Sequence, residues 1–543
     1  MRLAFGMLAR TQSYLLQGID ALACEVEVDF NENATLNESK SIVVGLADTA
    51  VKESLERVKA ALVNSAFVVP NGRVLVNLAP ANLKKEGSTY DLPIAIGLLA
   101  VQGVLSVDGA APFGGKRTYV APGQESRSEQ EPLDLRRFCI AGELALDGRV
   151  RPVRGVIAMA ALAKQRGMQG VIVPAENANE ASAVGGLDVY GVRTLTEVVG
   201  LVTGQLAIEP MPAIDIAGLL DSVKPGVDFG DVRGQEGVKR AVVIAAAGGH
   251  NLLMLGPPGS GKTMMAKALP GVLPALSPEE AVEITRIYSA AGQLPSGIGL
   301  VTQRPVRSPH HSASLPALVG GGMIPRPGEM SLAHKGVLFL DELPEFDRDV
   351  LESLRQPLEE HSVLVARAHS SLRFPADVML VAAMNPTPKG DLAPGDVGKR
   401  AMERYLEKLS GPLLDRIDMH VEAPAVPWKE LSAGMRGERE GPKGATTQQM
   451  REMVLGARAR AHKRQGATPN ARLSGKQLDQ FAIIESKAQS LLGQAMTELG
   501  LSARAFDKIR RVSRSIADLE DSDTVLTHHV AEAIQYRLLD RKV

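Results

Sequence analysis

The sequence predicts an α/β protein in three blocks, and three observations carry that expectation. From Met1 to about Thr203, alternating apolar stretches and helix-period stretches succeed one another. In the middle, "HNLLMLGPPGSGKTMMAKAL" runs from an apolar strand through a glycine-rich turn into a helix start. From about Gln448 to Val543 the apolar pattern is helical almost throughout.

In the first block, residues 1–205, "ACEVEVDF" and "RVLVNLAP" read as strands. "DTAVKESLERVKAALVNS" has a helical period with Asp48 placed to cap it. "YDLPIAIGLLAVQG" opens another helix, and "GVIAMAALAKQRGMQGVIVP" reads as a helix followed by a strand. The stretch 108–138 is rich in glycine, proline and polar residues and reads as a long exposed loop. A proline-containing linker covers 206–230, and the nucleotide motifs fall within 231–430. A polar, glycine-rich connector, 431–447, leads to a small helical domain over 448–543.

Composition narrows the function classes. Hydrophobic residues make up 45% and charged residues 23%, which is ordinary for a globular chain. A formal net charge of −1 excludes a wholly basic, histone-like binder but leaves room for a local basic groove. Two cysteines, Cys24 and Cys139, form neither a disulfide framework nor a four-cysteine zinc site. They read as small buried hydrophobes in a reducing compartment. The first residues lack a signal-peptide core, and no run of 18 apolar residues occurs, so a cytoplasmic protein without a membrane partner is expected.

The chemistry concentrates in a few short stretches. Gly256, Pro257, Pro258, Gly259, Ser260, Gly261, Lys262, Thr263 and Met264 form a phosphate-cradling loop at a helix start. Glycines let the backbone approach phosphate closely, Lys262 reaches the terminal phosphates, and Thr263 offers a hydroxyl to Mg²⁺. In "GVLFLDELPEF" an apolar strand delivers Asp341 to the Mg²⁺ shell and Glu342 to the attacking water. Asn385, at the tip of "DVMLVAAMNPTP", orients water near the γ-phosphate, although "NP" is also an ordinary turn. Arg416 reads either as a surface ion pair or as a side chain reaching a neighbouring subunit's γ-phosphate. Arg504, just after a capping Ser502, either senses nucleotide from the helical domain or belongs to a solvated basic face. His310 and His311 are adjacent and lack an acidic cluster, so they do not read as a metal site.

These motifs, with "SPHHSASLPALVGGG", "PGEMSLAHKGVLFLDELPEF", "SGPLLDRID" and "LSARAFDKIRRVSRSIADLE", resemble the Mg-chelatase-like AAA+ ATPases of the competence protein ComM, or YifB-like, family. The resemblance covers nearly the whole chain. It implies that Lys262 and Thr263 belong to Walker A, Asp341 and Glu342 to Walker B, and Asn385 to sensor 1. Arg416 resembles the arginine finger and Arg504 the sensor 2 arginine. It implies an N-terminal Lon-protease-like (ribosomal S5-like) domain, a central AAA+ P-loop domain and a C-terminal helical lid, with ATP and Mg²⁺ as cofactors.

The Lon serine position holds Ile94 and the Lon lysine position Ile157, so that dyad is absent. The stretch after Asn385, cysteine-rich in many members, has no cysteine here. The family further implies a homo-oligomer, a hexameric ring, acting on single-stranded or branched DNA with recombination proteins. Its activity would be branch migration and heteroduplex extension in natural transformation and homologous recombination. A protein remodeller or Mg-chelatase-like chaperone is the alternative. "HSVLVARAHSSLRFPAD" suits a channel hairpin with Arg367, His369 and Arg373 on a basic edge.

Overall fold

The computed structural model describes residues 7–31, 41–107, 131–221, 226–322, 325–367, 370–387, 405–426, 445–537 and 539. The chain divides into two compact units: residues 1–219 with 278–301, and residues 220–277 with 302–543. Of the exposed loop expected over 108–138, residues 108–130 lie outside the described residues, as do most of the connector 431–447 and much of the cysteine-free stretch after Thr387. The end of that loop is not exposed loop, because Leu135–Arg137 is a helical turn and Phe138 opens a strand, with Leu135 and Phe138 both buried.

The first unit is built on a seven-stranded mixed sheet. Its order is Ile42–Val44, Arg73–Ala79, Asp20–Asn31, Met7–Gln17, Phe138–Ile140, Gly170–Pro174 and Asp188–Val192. Strict alternation in Asp20–Asn31 buries Val26 and Val28 on one face. Helix Thr49–Asn64 starts where the Asp48 carboxylate accepts the Val51 N–H at 2.8 Å. Helix Asp91–Val101 is buried along its whole length, and Arg57 clamps the buried Asp91 carboxylate at 2.9 and 3.0 Å. Ile94 and Ile157 are both fully buried, which is where isoleucine belongs.

Residues 278–301 also belong to this unit. Helix Pro278–Ala291 turns Ala281, Ile284, Ile287 and Ala290 inward at helical spacing. Ser289 Oγ bonds the buried Glu180 carboxylate and accepts the Gly155 N–H at 2.8 Å. Asn179 donates to the Gly297 carbonyl at 3.0 Å.

The second unit carries a five-stranded, all-parallel sheet. Its order is Val306–Arg307, Val337–Leu340, Met379–Met384, Leu252–Leu255 and Met419–Glu422. Central strands are fully apolar, as strands covered on both faces require. Among the described residues five α-helices follow the connector: Thr447–Gln465, Gly475–Phe481, Ser486–Glu498, Ala503–Leu519 and Thr527–Gln535. Ala505, Ile509, Val512 and Ile516 put one stripe of Ala503–Leu519 into the same core as Met254, Met265 and Val381. The helical region therefore shares its core with the sheet. No described helix is long and apolar enough to cross a membrane.

One buried carboxylate binds these layers. Asp418 lies 3.5 Å from Lys508 Nζ and 3.7 Å from His250 Nδ1, and accepts the Asn251 N–H at 3.1 Å. Burial works to raise its pKa. Lys508, His250 and Asn251 outweigh burial and hold the carboxyl well below the usual range. Removing it leaves Lys508 buried without its carboxylate. Asp418→Ala is therefore expected to cost about 3–5 kcal/mol, read as a lower urea midpoint at neutral pH. The depressed carboxyl contributes stability that is complete above its unfolded pKa of about 3.9 and is lost as pH falls towards the folded value. Asp418→Asn is expected to flatten the acid limb of an unfolding profile; an acid limb like the parent's would assign the loss to other carboxylates.

Candidate nucleotide site

Leu252–Leu255 ends at Gly256, and helix Lys262–Val272 begins six residues later. Between them Gly259 and Gly261 take φ of 78° and 88°, the left-handed region that a Cβ disfavours. A Cβ at either would meet nothing within 4 Å, so strain rather than crowding requires glycine, and the inner side of the loop is open. Lys262 Nζ donates to the Gly256 and Pro257 carbonyls at 2.7 and 2.8 Å and lies 3.3 Å from Asn385 Oδ1. Burial lowers the Lys262 pKa, while Asp341 and Glu342 oppose the shift. Gln235, itself at φ 61°, donates to the Ser260 carbonyl at 3.2 Å and to the Pro424 carbonyl.

The parallel sheet brings the remaining groups to the same edge. Val337–Leu340 and Met379–Met384 lie side by side and end in Asp341 and Asn385. Thr263 Oγ1 donates to Asp341 Oδ2 at 2.9 Å. Hydroxyl and carboxylate oxygens so paired are the hard donors that Mg²⁺ takes. Open glycine backbone, a lysine ammonium and an eleven-residue helix starting at the loop fit a Mg²⁺-bound triphosphate. A cavity of this unit, lined by Lys267, Gly271, Leu276 and Arg304 among others, includes none of Lys262, Thr263, Asp341 or Glu342.

Arg416 and Arg504 sit elsewhere. The Arg416 carbonyl accepts from Asn251, the residue before the strand Leu252–Leu255, at 2.9 Å. That is the end of Leu252–Leu255 opposite Gly256, and four residues at about 3.3 Å each separate the two ends by roughly 13 Å. Its guanidinium donates to the Pro412 carbonyl at 2.7 Å and pairs with Glu359. Arg504 is two-thirds exposed and pairs with Asp415 at 2.8 Å, one residue from Arg416. The structure thus brings Lys262, Thr263, Asp341, Glu342 and Asn385 to one sheet edge and Arg416 and Arg504 to the other.

The neighbouring arginines do not form a solvated basic face. Arg514 is buried against Asp518, Arg510 pairs with Asp479 at 2.7 Å, and Arg511 donates to the Leu473 carbonyl at 2.9 Å.

The hairpin forms as Ser362–Arg367 paired with Ser370–Pro375. Val363, Val365 and Phe374 are buried, while Leu364 and its partner Arg373 are exposed. His369 and the Arg367 side chain lie outside the described residues.

Glu520, His528 and His529 have the spacing of metal ligands. His529 Nδ1 accepts the Leu526 N–H at 3.0 Å, so Nε2 carries the proton it donates to Glu520 at 3.1 Å. That proton blocks the nitrogen a metal would need.

Sequence reasoning singled out the loop and both acidic residues and named Asp415 and Asp418 only as neighbours of Arg416, while Gln235 and Lys508 were passed over. Gln235 stands inside the quoted "DVRGQEG", yet no local pattern says that it folds back onto the loop.

A parallel sheet with a glycine loop, an acidic pair and a strand-tip asparagine at one edge defines an α/β ATPase of AAA+ type. Three family descriptions agree: magnesium chelatase, subunit ChlI, over residues 228–431; its C-terminal part over 444–537; and subunit ChlI of Mg-chelatase over 26–116 and 121–177. The chain is 42% identical over 542 residues to the competence protein ComM of Haemophilus influenzae, covering 98% of each chain. It is 41% identical to the uncharacterized protein YifB of Escherichia coli over 92% of each. Identity to the magnesium-chelatase 38 kDa subunit of Cereibacter sphaeroides is 26%, over 44% of this chain and 73% of that one. The chain belongs to the ComM/YifB family of Mg-chelatase-like AAA+ ATPases, a membership that implies ATP hydrolysis and ATP and Mg²⁺ binding.

The Arg504–Asp415 pair is exposed, unlike Asp418–Lys508. Asp415→Ala is expected to change unfolding free energy by less than about 1 kcal/mol in urea titration. A loss as large as that of Asp418→Ala would make the pair part of the core lock.

Proposed function

We propose that the protein is an ATP-driven, ring-forming DNA motor that extends heteroduplex by branch migration during uptake and recombination of DNA. The observation that carries the ring is the separation of charges along the strand Leu252–Leu255. Arg416 and Arg504 sit at the end of Leu252–Leu255 away from the chain's own phosphate loop. An arginine so placed serves a nucleotide held by another copy, so the functional site spans two subunits.

Within one copy, Gly256 to Met264 wrap the phosphates, and Lys262 stabilises charge that grows as the terminal bond breaks. Thr263 and Asp341 would hold Mg²⁺, which would neutralise phosphate charge. Glu342 takes the proton of the attacking water, and Asn385 orients that water. The first unit resembles a Lon-type domain without its dyad. The number of copies is six, a cytoplasmic ring. Similarity to a competence protein supports a DNA substrate. On the hairpin, exposed Arg373 suits a phosphate backbone, whereas exposed Leu364 beside it favours the second reading, a protein remodeller.

ATP turnover measured with and without single-stranded and four-way-junction DNA tests the substrate. Marked stimulation by DNA, lost in Glu342→Gln, is expected; hydrolysis indifferent to every DNA would favour the remodeller. Mixing tests the shared site. Arg416→Ala and Lys262→Ala are each expected to lose more than about a hundredfold in kcat alone. Mixed together they regain activity, because some interfaces then hold one intact lysine and one intact arginine. Mixtures as inactive as the separate variants would place Arg416 outside the site.

A further inference from the structure

We propose that His311 is a positioning residue for the Glu342 carboxylate; the inference rests on reading Glu342 as the group that takes the proton from water. Parallel register creates the encounter. Val306–Arg307 lies beside Val337–Leu340 with Arg307 opposite Leu338. Four residues further along each chain, His311 Nδ1 faces Glu342 Oε2 at 3.5 Å. The base of the first segment is fixed where Arg307 grips Glu329 through two bonds of 2.6 Å.

Glu342 has little else to hold it. Its backbone stands at φ 52°, the left-handed region, and its side chain makes no capping bond to the helical turn Leu343–Glu345 that follows. Without such a bond, the carboxylate needs an outside partner to fix its rotation.

The His311 ring can supply it because it is held on other sides. His310 stacks at 4.1 Å between ring centroids, and Phe346 meets the ring at 6.5 Å and 80°. His310 is itself anchored, its Nδ1 lying 2.8 Å from Ser312 Oγ and accepting the Ser312 N–H at 3.3 Å.

The arrangement divides labour between the two carboxylate oxygens. An Nδ1–H that closes the 3.5 Å separation to Oε2 in the working complex would hold that oxygen and leave Oε1 free to accept a proton from water. The imidazole keeps its own proton throughout and acts through Glu342, not on the substrate. Separations between such groups are often long before substrate binds and shorten in the working complex. A carboxylate free to rotate spends most of its time aimed elsewhere, and misplacement by about 1 Å costs up to roughly a hundredfold in rate.

Steady-state ATP turnover by the full chain tests this, using the parent, Glu342→Gln, His311→Phe, His311→Ala and His311→Asn. His311→Phe keeps a ring against His310 and Phe346 but has no donor. It is expected to lower kcat roughly ten- to a hundredfold and leave the KM for ATP within about twofold. His311→Asn, with an amide N–H at the Nδ1 position, is expected to recover most of that loss. Adding His311→Phe to Glu342→Gln is expected to cost nothing more.

Parent kcat in His311→Phe overturns the proposal. So does a loss confined to KM, or a loss that adds in full to that of Glu342→Gln. Failure of the underlying reading appears in a different arm, as Glu342→Gln turning over ATP like the parent. Circular dichroism melting identifies a variant that does not fold, and the phenylalanine and asparagine variants then carry the comparison without His311→Ala.

Discussion

The nucleotide edge depends on a carboxylate at the opposite edge of the sheet. Asp418 accepts the Asn251 N–H, and Asn251 in turn accepts the Leu380 N–H at 2.9 Å and donates to the Arg416 carbonyl. Three parallel strands are therefore aligned at their starts by one asparagine and one aspartate. Parallel strands keep a common direction, so alignment at one end fixes the heights at which Gly256 and Asn385 emerge at the other. Lys508 and Arg537 both donate to the Ile417 carbonyl, at 2.9 and 2.7 Å, and bring helical-region cations to the same point. A buried ion pair contributes little net stability compared with a hydrophobic pair, but a unique geometry is what such a pair can enforce.

That anchoring explains how the basic helix Ala503–Leu519 is used. Its apolar stripe enters the shared core, and Arg510, Arg511 and Arg514 each turn to a separate acceptor. A second polar cluster adds to this. Asn470 bonds both Ser515 and Asp518, Arg464 grips Asp518, and His250 meets Ser515 at 2.8 Å. Arg504 remains the exposed member, held beside Arg416 by an ion pair that solvent weakens. The helix is firmly attached, whereas among the described residues its first arginine is held by one exposed ion pair alone.

Features with a short-range cause were legible in the sequence. The apolar runs at Leu252, Val337 and Met379 are strands, Asp48 caps its helix, and the glycine loop joins strand to helix as the pattern implies. The positions of Asp341 and Asn385 followed from strand ends. What the pattern concealed needs two distant segments. Asp415 and Arg504 are 89 residues apart, and Gln235 reaches Pro424 across 189. His310 and His311 were legible as a pair but not as neighbours of Glu342. Their meeting depends on the register between two strands, one of them two residues long. Adjacent arginines on a helix likewise say nothing of the separate acceptors that tertiary packing gives them.

The helix Pro278–Ala291 lies in sequence between the phosphate loop and Asp341, yet its apolar stripe is buried in the unit formed mainly by residues 1–219. That unit is therefore not contiguous in the gene. Deleting the N-terminal residues would strip the cover from Ala281, Ile284, Ile287 and Ala290 and leave Ser289 without Glu180, turning a buried seam into a sticky one. Recombination that exchanges front halves between relatives must carry matching changes in a segment encoded far downstream. The two units can diverge in sequence, but they are inherited as one piece.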